Sequence, residues 1–349
     1  MALDEIRLRR MAAQHLLVPA DKKTVVRDLM GLQAQFMPNA MHALKIRCNE
    51  PVDTFPCGLV KSWTVRGTVH VFLEEDLPLF IRANGGQDYR RNEWQGRRFW
   101  NRRDAWALTP ERQQYLSTVI LDSLARGERT REELKALCRE AGMTEVEEGS
   151  MFDPWGGGVR ELCERGFMHY AVREEKAFCL TPRYEPMEDA VAELEMARRY
   201  FTSYGPATVH DAMYYFHTTA AKVKAWLTAL PVSSVVCGGN TYYSIDGQVP
   251  ITKEMPSCLF LAGFDPLMLG YEKKESLYLP PEYMRGIFNL AGIVMPALLL
   301  NGTVAGRWKN KNGKVRVELF RPLTAAERHL VCQGAEALWP DMKKLEFAE

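Results

Sequence analysis

The sequence predicts a mixed α+β protein in which three helices closed by a β-hairpin recur three times before a final, mainly β region. Three observations predict it. Apolar residues at helical spacing come in sets of three segments; each set ends in short alternating stretches; and after about residue 250 the helical period gives way to short strands bounded by Gly and Pro. At 349 residues the chain exceeds what one hydrophobic core usually supports, so several modules are expected.

Taken in order, Leu3, Ile6, Met11, Leu16 and Leu17 recur at helical spacing, and Asp21 opens a second helix through Val25, Val26, Leu29 and Met30. Pro38 suits the first turn of a third helix over 39–47 and biases Met37 away from helical geometry. Residues 33–37 are therefore expected to form a break between helices. From Trp63 to Val71 the chain alternates, with Trp63, Val65, Val69 and Val71 on one face and Thr64, Arg66, Thr68 and His70 on the other. This predicts a strand, or a hairpin turning near Gly67.

The second set has helices over 110–126, 130–141 and 159–164, then strands over 167–172 and 177–180 around the turn Arg173-Glu174-Glu175-Lys176. The third has helices over 190–203, 209–216 and 219–229, then strands over 233–237 and 241–245 joined through Gly238-Gly239-Asn240. Helix, helix, helix, hairpin is the order of a winged helix. We expect winged helices at 1–108 (with a basic extension), 109–186 and 187–250, and a C-terminal β domain at 251–349. Turns at Asn301-Gly302 and Lys311-Asn312-Gly313 suit β-hairpins in that domain.

Composition narrows the function. Hydrophobic residues make up 46% and charged residues 26%, ordinary for a soluble protein. The longest apolar stretch, 293–300, is interrupted by Pro296 and is too short to span a bilayer. The charged N-terminus does not read as a signal peptide, so a cytoplasmic address is expected. The eight cysteines form no Cys-x-x-Cys pair and have no histidine at zinc spacing, which makes them reduced packing residues and leaves no metal or cofactor to expect. A net charge of +1 excludes a strongly basic chromatin-type protein but not a local basic face. There is no nucleotide-binding fingerprint and no serine elbow; Gly156, Gly157 and Gly158 lack the residues of a phosphate loop.

Four groups of residues are candidates for chemistry or binding. Side chains two apart on a helix point about 200° from each other, so Gln33 and Gln35 can meet one substrate only in an extended break. There, two amides can hold a water molecule and aim it, but they cannot take its proton at neutral pH. The plain alternative is a solvated helix end. Arg66, Thr68 and His70 place a cation, a hydroxyl and an imidazole in a row suited to a phosphate backbone, or form an exposed polar strand face. Between Arg82 and Arg103, Arg97, Arg98, Arg102 and Arg103 are among seven arginines interleaved with Tyr89, Trp94, Phe99 and Trp100, a nucleic-acid contact or an amphipathic helix. Finally Arg307, Lys309, Lys311, Lys314 and Arg316 make a basic hairpin with Trp308 near its start; exposed lysines also block edge pairing.

Taken together, Gly31-Leu32-Gln33-Ala34-Gln35, Trp63-Thr64-Val65-Arg66-Gly67-Thr68-Val69-His70, Gly263-Phe264-Asp265 with Leu269-Gly270-Tyr271, and Phe288-Asn289 with Gly292 and Pro296 resemble the winged-helix DNA glycosylases of AlkZ and YcaQ type. Gln33-Ala34-Gln35 resembles the AlkZ branch, where the second polar position is glutamine rather than aspartate. Val69 replaces a leucine in the segment that carries Thr68 and His70. The resemblance implies tandem winged helices with a C-terminal β domain, a catalytic pair at Gln33 and Gln35, and excision of alkylated bases such as N7-alkylguanine, including some interstrand crosslinks. It implies double-stranded alkylated DNA as partner, a monomer without cofactor, and a bacterial, nucleoid-associated setting. It gives no individual role to Asp265, Tyr271 or Asn289. Two readings from other classes stand beside it: a non-catalytic winged-helix regulator, and a resistance protein that sequesters a DNA-reactive metabolite.

Overall fold

A computed structural model describes residues 2–64, 66–81, 106–153, 157–245 and 254–348. The chain divides into two compact units, one of them discontinuous: residues 1–56 with 194–349, and residues 57–193. The boundary at 56/57 falls between the third helix and the hairpin that the sequence reading placed in one module.

The first unit begins with α1 (Leu3–Ala13), α2 (Lys22–Asp28), β1 (Leu32–Gln33) and α3 (Met37–Lys45). The Asp21 carboxylate accepts from the amides of Lys23 and Thr24 and so starts α2 as expected. The expected break between α2 and α3 is present, with one difference: Met37 is already helical, Pro38 falls in the first turn and Phe36 is the extended cap. Met37 is buried there, and its anchoring outweighs the pre-proline bias.

The second unit contains β2 (Leu59–Trp63), β3 (Val69–Leu73), α4 (Leu77–Phe80), α5 (Pro110–Leu124), β4 (Arg129–Thr130), α6 (Arg131–Glu140), α7 (Glu145–Met151), α8 (Gly157–Glu164), β5 (Met168–Tyr170) and β6 (Ala177–Leu180). β2 and β3 form an antiparallel hairpin in register Ser62↔His70 and Trp63↔Val69; β5 joins β2, β6 joins β5 and β4 joins β6. Leu116, Ile120, Leu134, Cys138, Met151, Leu162, Met168 and Phe178 fill its core, and capping boxes at Thr130 and Thr144 start α6 and α7.

Returning to the first unit, α9 (Asp189–Ser203), α10 (Val209–Phe216) and α11 (Ala220–Ala229) lead into the hairpin of β7 (Val232–Cys237) and β8 (Asn240–Ile245), within a few residues of the expected bounds. After β9 (Cys258–Phe260), α12 (Pro266–Leu269) and α13 (Met284–Ile287) come β10 (Ala297–Leu300), β11 (Thr303–Lys311), β12 (Lys314–Leu319), α14 (Ala325–Leu338) and β13 (Lys344–Ala348). These strands form one sheet, ordered β13-β12-β11-β10-β9, antiparallel except for the parallel β12–β13 pair. The region expected to be mainly β also carries α14, which packs Val331 and Ala335 into the core with Leu298, Val315 and Val317. Its signal in the sequence is the capping box Thr324-x-x-Glu327.

Candidate active site

Gln33 ends a short strand set up by the backbone before it, and Gln35 lies in the bend that follows. Met30 and Gly31 take successive left-handed conformations (φ 54° and 83°), which turn the chain out of α2. The preceding carbonyl, of Leu29, accepts a hydrogen bond from the Tyr204 hydroxyl at 2.9 Å. The Tyr204 carbonyl in turn accepts from the Tyr271 hydroxyl at 3.0 Å, and that hydroxyl accepts from Gln14 Nε2 at 2.9 Å. A buried polar chain therefore fixes the entry to β1.

Burial then alternates. Leu32 and Ala34 are buried, Gln33 is half-buried and Gln35 is exposed. Gln33 and Gln35 thus lie outside a helix and are both more exposed than Leu32 and Ala34. Among the described residues, no hydrogen bond engages either carboxamide.

Two aromatic residues extend this element. Phe36, 44% exposed, stacks on Phe264 with ring centroids 6.0 Å apart and planes at 21°. Phe264 has φ of +56°, which a bulky side chain rarely adopts, and its amide donates to the Val294 carbonyl at 3.1 Å. On one side of it, a Cβ at Gly263 would lie 2.7 Å from Nδ2 of the Asn39 side chain, so the loop comes close to the first turn of α3 there and a larger residue would have to displace that carboxamide. On the other side, Asp265 makes a fully buried bidentate pair with Arg47 (2.7 and 3.0 Å) and caps α12 through the Leu267 amide. The strained loop is held from both ends.

α3 also carries His42, whose Nε2–H donates to the Phe260 carbonyl at 2.7 Å while its ring packs between Trp308 and Trp339. Burial pushes its pKa down to about 4, so it is neutral. Trp308 is itself anchored by its indole N–H to the Leu261 carbonyl at 2.9 Å. It is a core residue at the base of the basic hairpin rather than a stacking surface.

On that hairpin, Lys309, Lys311, Lys314 and Arg316 are exposed. The register sets Lys309 opposite Arg316 and Lys311 opposite Lys314, like charges that disfavour the pairing unless an anion lies across them. Arg307 differs: it is half-buried and paired with Glu318 at 2.6 Å, and it also donates to the Gly286 carbonyl at 3.3 Å.

In the second unit, the hairpin turns through Gly67 (φ 80°), as the sequence allowed. The expected exposed row is corrected here. His70 is 0% exposed and Thr64 3%, because the face shared by Ser62 and His70 is covered. Alternation separates the two faces but does not say which one lacks water. His70 Nδ1–H donates to the Thr68 carbonyl at 3.0 Å, with the Thr64 hydroxyl at 3.2 Å. Burial, with the nearby Arg66 charge, lowers its pKa well below the usual histidine value. Its Nε2 has no partner among the described residues. Arg66 and Thr68 are half-buried. Arg97, Arg98, Arg102 and Arg103 lie outside the described residues.

The sequence reading missed Phe36, Arg47 and Tyr204. Phe264, Asp265 and Tyr271 stood in a quoted motif without a role. Among the described residues, no group of acidic, histidine and cysteine side chains is arranged to hold a metal ion, and no helix is long and apolar enough to cross a membrane.

Comparison with known proteins gives consistent results. The family model described as DNA glycosylase AlkZ-like matches residues 26–339. A protein of Streptomyces sahachiroi described as an interstrand DNA cross-link repair glycosylase is 25% identical over 311 residues, 82% of this chain and 81% of its own. The solved structure of the Streptomyces sahachiroi DNA glycosylase AlkZ superposes with a TM-score of 0.77 at 20% identity, covering 99% of each chain, a likeness of fold.

Proposed function

The chain belongs to the AlkZ-like family of DNA glycosylases, and from that premise we propose that it hydrolyses the N-glycosidic bond of cationic alkylated purines in duplex DNA, with Gln33 and Gln35 placing the water. The observation that supports this reading is that Gln33 and Gln35 lie outside helical geometry and are both more exposed than Leu32 and Ala34, in a segment whose entry is braced by the hydrogen bond from Tyr204 to the Leu29 carbonyl. Alkylation at N7 of guanine, or N3 of adenine, leaves the base positively charged. When the C1′–N9 bond breaks, its electron pair neutralises that charge and a neutral base departs, so little acid catalysis is needed. The water oxygen bonds to C1′ and its proton passes to solvent. Uncharged amides suit this step because they need only orient the water and stabilise an oxocarbenium-like sugar. The product is an abasic site, and no lysine or terminal amine is assigned as a nucleophile, so strand cleavage is not expected.

In this reading each helix–helix–helix–hairpin run is a winged helix, and Lys309 and Lys311 contact phosphates. Arg66 and Thr68 do the same from the turn that His70 buttresses from within. The Streptomyces sahachiroi relative is described as acting in interstrand DNA cross-link repair, and N7-linked interstrand crosslinks fall within the same chemistry. The test is release of N7-methylguanine from duplex DNA, scored as alkali-labile sites, by the wild type, Gln33→Ala and Gln35→Ala. Each substitution is expected to slow release by ~10²–10³-fold, the usual scale for an orienting donor. Tight binding with no release by any form overturns the proposal in favour of a regulator, and rapid excision of uracil overturns the dependence on a cationic base.

A further inference from the structure

Asn289, which the sequence singled out without a role, builds a turn that the catalytic scheme does not use. Phe288 and Val294 are bridged as an antiparallel pair, and the intervening loop is cross-braced. The Asn289 amide donates to the Ile293 carbonyl at 3.1 Å, the Ile293 amide to Asn289 Oδ1 at 2.8 Å, and the Gly292 amide to the Asn289 carbonyl at 3.3 Å. At the tip stands Leu290, 88% exposed, the most exposed large apolar side chain among the described residues. An apolar side chain held out on a stiff loop gains nothing for the fold and leaves apolar surface in water.

The stem connects this tip to both parts of the proposed DNA face that lie in the same unit. The Val294 carbonyl receives the Phe264 amide, and Phe264 stacks on Phe36, next to Gln35. On the other side, Arg307 of the basic hairpin donates to the Gly286 carbonyl, two residues before Phe288, and the Trp308 amide donates to the Pro296 carbonyl. Lys273 lies with its ammonium 5.8 Å from the Phe288 ring, and Arg285 on α13 is exposed, so the stem is flanked by cations.

We propose that Leu290 is a wedge that enters the base stack of duplex DNA beside the damaged nucleotide and unstacks that step. Leucine is among the side chains that pry open base steps, and a base-removing enzyme must gain access to C1′ within a stacked helix. The inference rests on the glycosylase reading for its choice of DNA.

A duplex carrying N7-methylguanine beside 2-aminopurine, whose fluorescence rises on unstacking, tests it with the full-length protein at saturation checked by anisotropy. Wild type is expected to raise the fluorescence; Leu290→Ala should bind within about threefold without raising it, and Leu290→Phe should restore the rise. Asn289→Ala should lose the rise and Asn289→Asp, which keeps the acceptor for the Ile293 amide, should retain it. In single-turnover excision, Leu290→Ala should lose about tenfold on paired duplex but no more than about twofold when the lesion faces a gap that already unstacks it. A saturated wild-type complex with flat fluorescence, a Leu290→Ala complex that matches wild type, or equal losses on paired and gapped DNA would each overturn the wedge. If wild type releases no methylguanine, the glycosylase reading falls, while the fluorescence still decides for or against the wedge.

Discussion

Replacing Asp265 by Asn isolates what the buried Arg47–Asp265 pair contributes. Both side chains are 0% exposed. Oδ1 of Asp265 serves Arg47 Nη2 at 2.7 Å and the Leu267 amide at 2.9 Å, while Oδ2 serves Arg47 Nη1 at 3.0 Å. An asparagine that keeps its oxygen at the Oδ1 position preserves the helix cap but sets an NH2 group against Nη1, donor against donor, and leaves the guanidinium without a counter-charge. Breaking a buried pair from one side costs about 3–5 kcal/mol. For a cooperative unit of 150–250 residues one kcal/mol moves Tm by roughly 2–4 °C, so Tm should fall by ~6–20 °C. Urea and thermal unfolding of the wild type, Asp265→Asn, Asp265→Leu, Arg47→Met and the double change Arg47→Met with Asp265→Leu read this directly. The double change should cost less than Arg47→Met and Asp265→Leu together by about 3 kcal/mol, because no charge is then buried alone. A cost for Asp265→Asn below about 1 kcal/mol, or strict additivity, would refute the reasoning.

Stability should also fall with acidification before the carboxylates titrate. The folded-state pKa of His42 is lowered to about 4, against about 6.5 unfolded, so its contribution is complete above pH 6.5 and is lost as the pH drops below it. At pH 5 this amounts to about 2 kcal/mol, with His70 acting in the same direction; His42→Gln should flatten the urea midpoint between pH 7 and 5, and an unchanged slope would count against a neutral buried ring. For DNA affinity, Lys309→Ala and Lys311→Ala should each lower the slope of log K against log salt by about one. Arg307→Ala should alter it far less, since Glu318 already neutralises that guanidinium; equal changes for all three would contradict the pairing.

Local features were readable from the sequence where the chain's own chemistry determines them. Asp21 announces α2 and Pro38 marks the first turn of α3, with the expected break between the two helices. The third helix set and its hairpin were likewise visible in their periodicity. What stayed hidden depends on partners distant in the chain. Nothing near Asp265 names Arg47, 218 residues away, and nothing in the alternation of Thr68, Val69 and His70 says that the polar face is the covered one. Nothing beside Trp308 at the start of the basic hairpin says that its indole packs against the His42 and Trp339 rings. Helix α14 carries its own local signal, the capping box Thr324-x-x-Glu327, within a region whose Gly- and Pro-bounded strands predict β structure.

The chain pairing that supports the glutamine loop has a consequence for synthesis. Arg10 waits for Asp211, the Leu29 carbonyl for Tyr204, Arg47 for Asp265, and Arg7 for the Gly302 carbonyl. Every one of these partners leaves the ribosome after residue 193, so the first 56 residues emerge without the scaffold that holds them. At ordinary translation rates the gap lasts roughly 10–50 s. During that interval, and in any product of a truncated message, the segment that we propose to hold the catalytic pair lacks these partners. The order of residues along the chain thereby delays the proposed activity until the last third of the protein has been made.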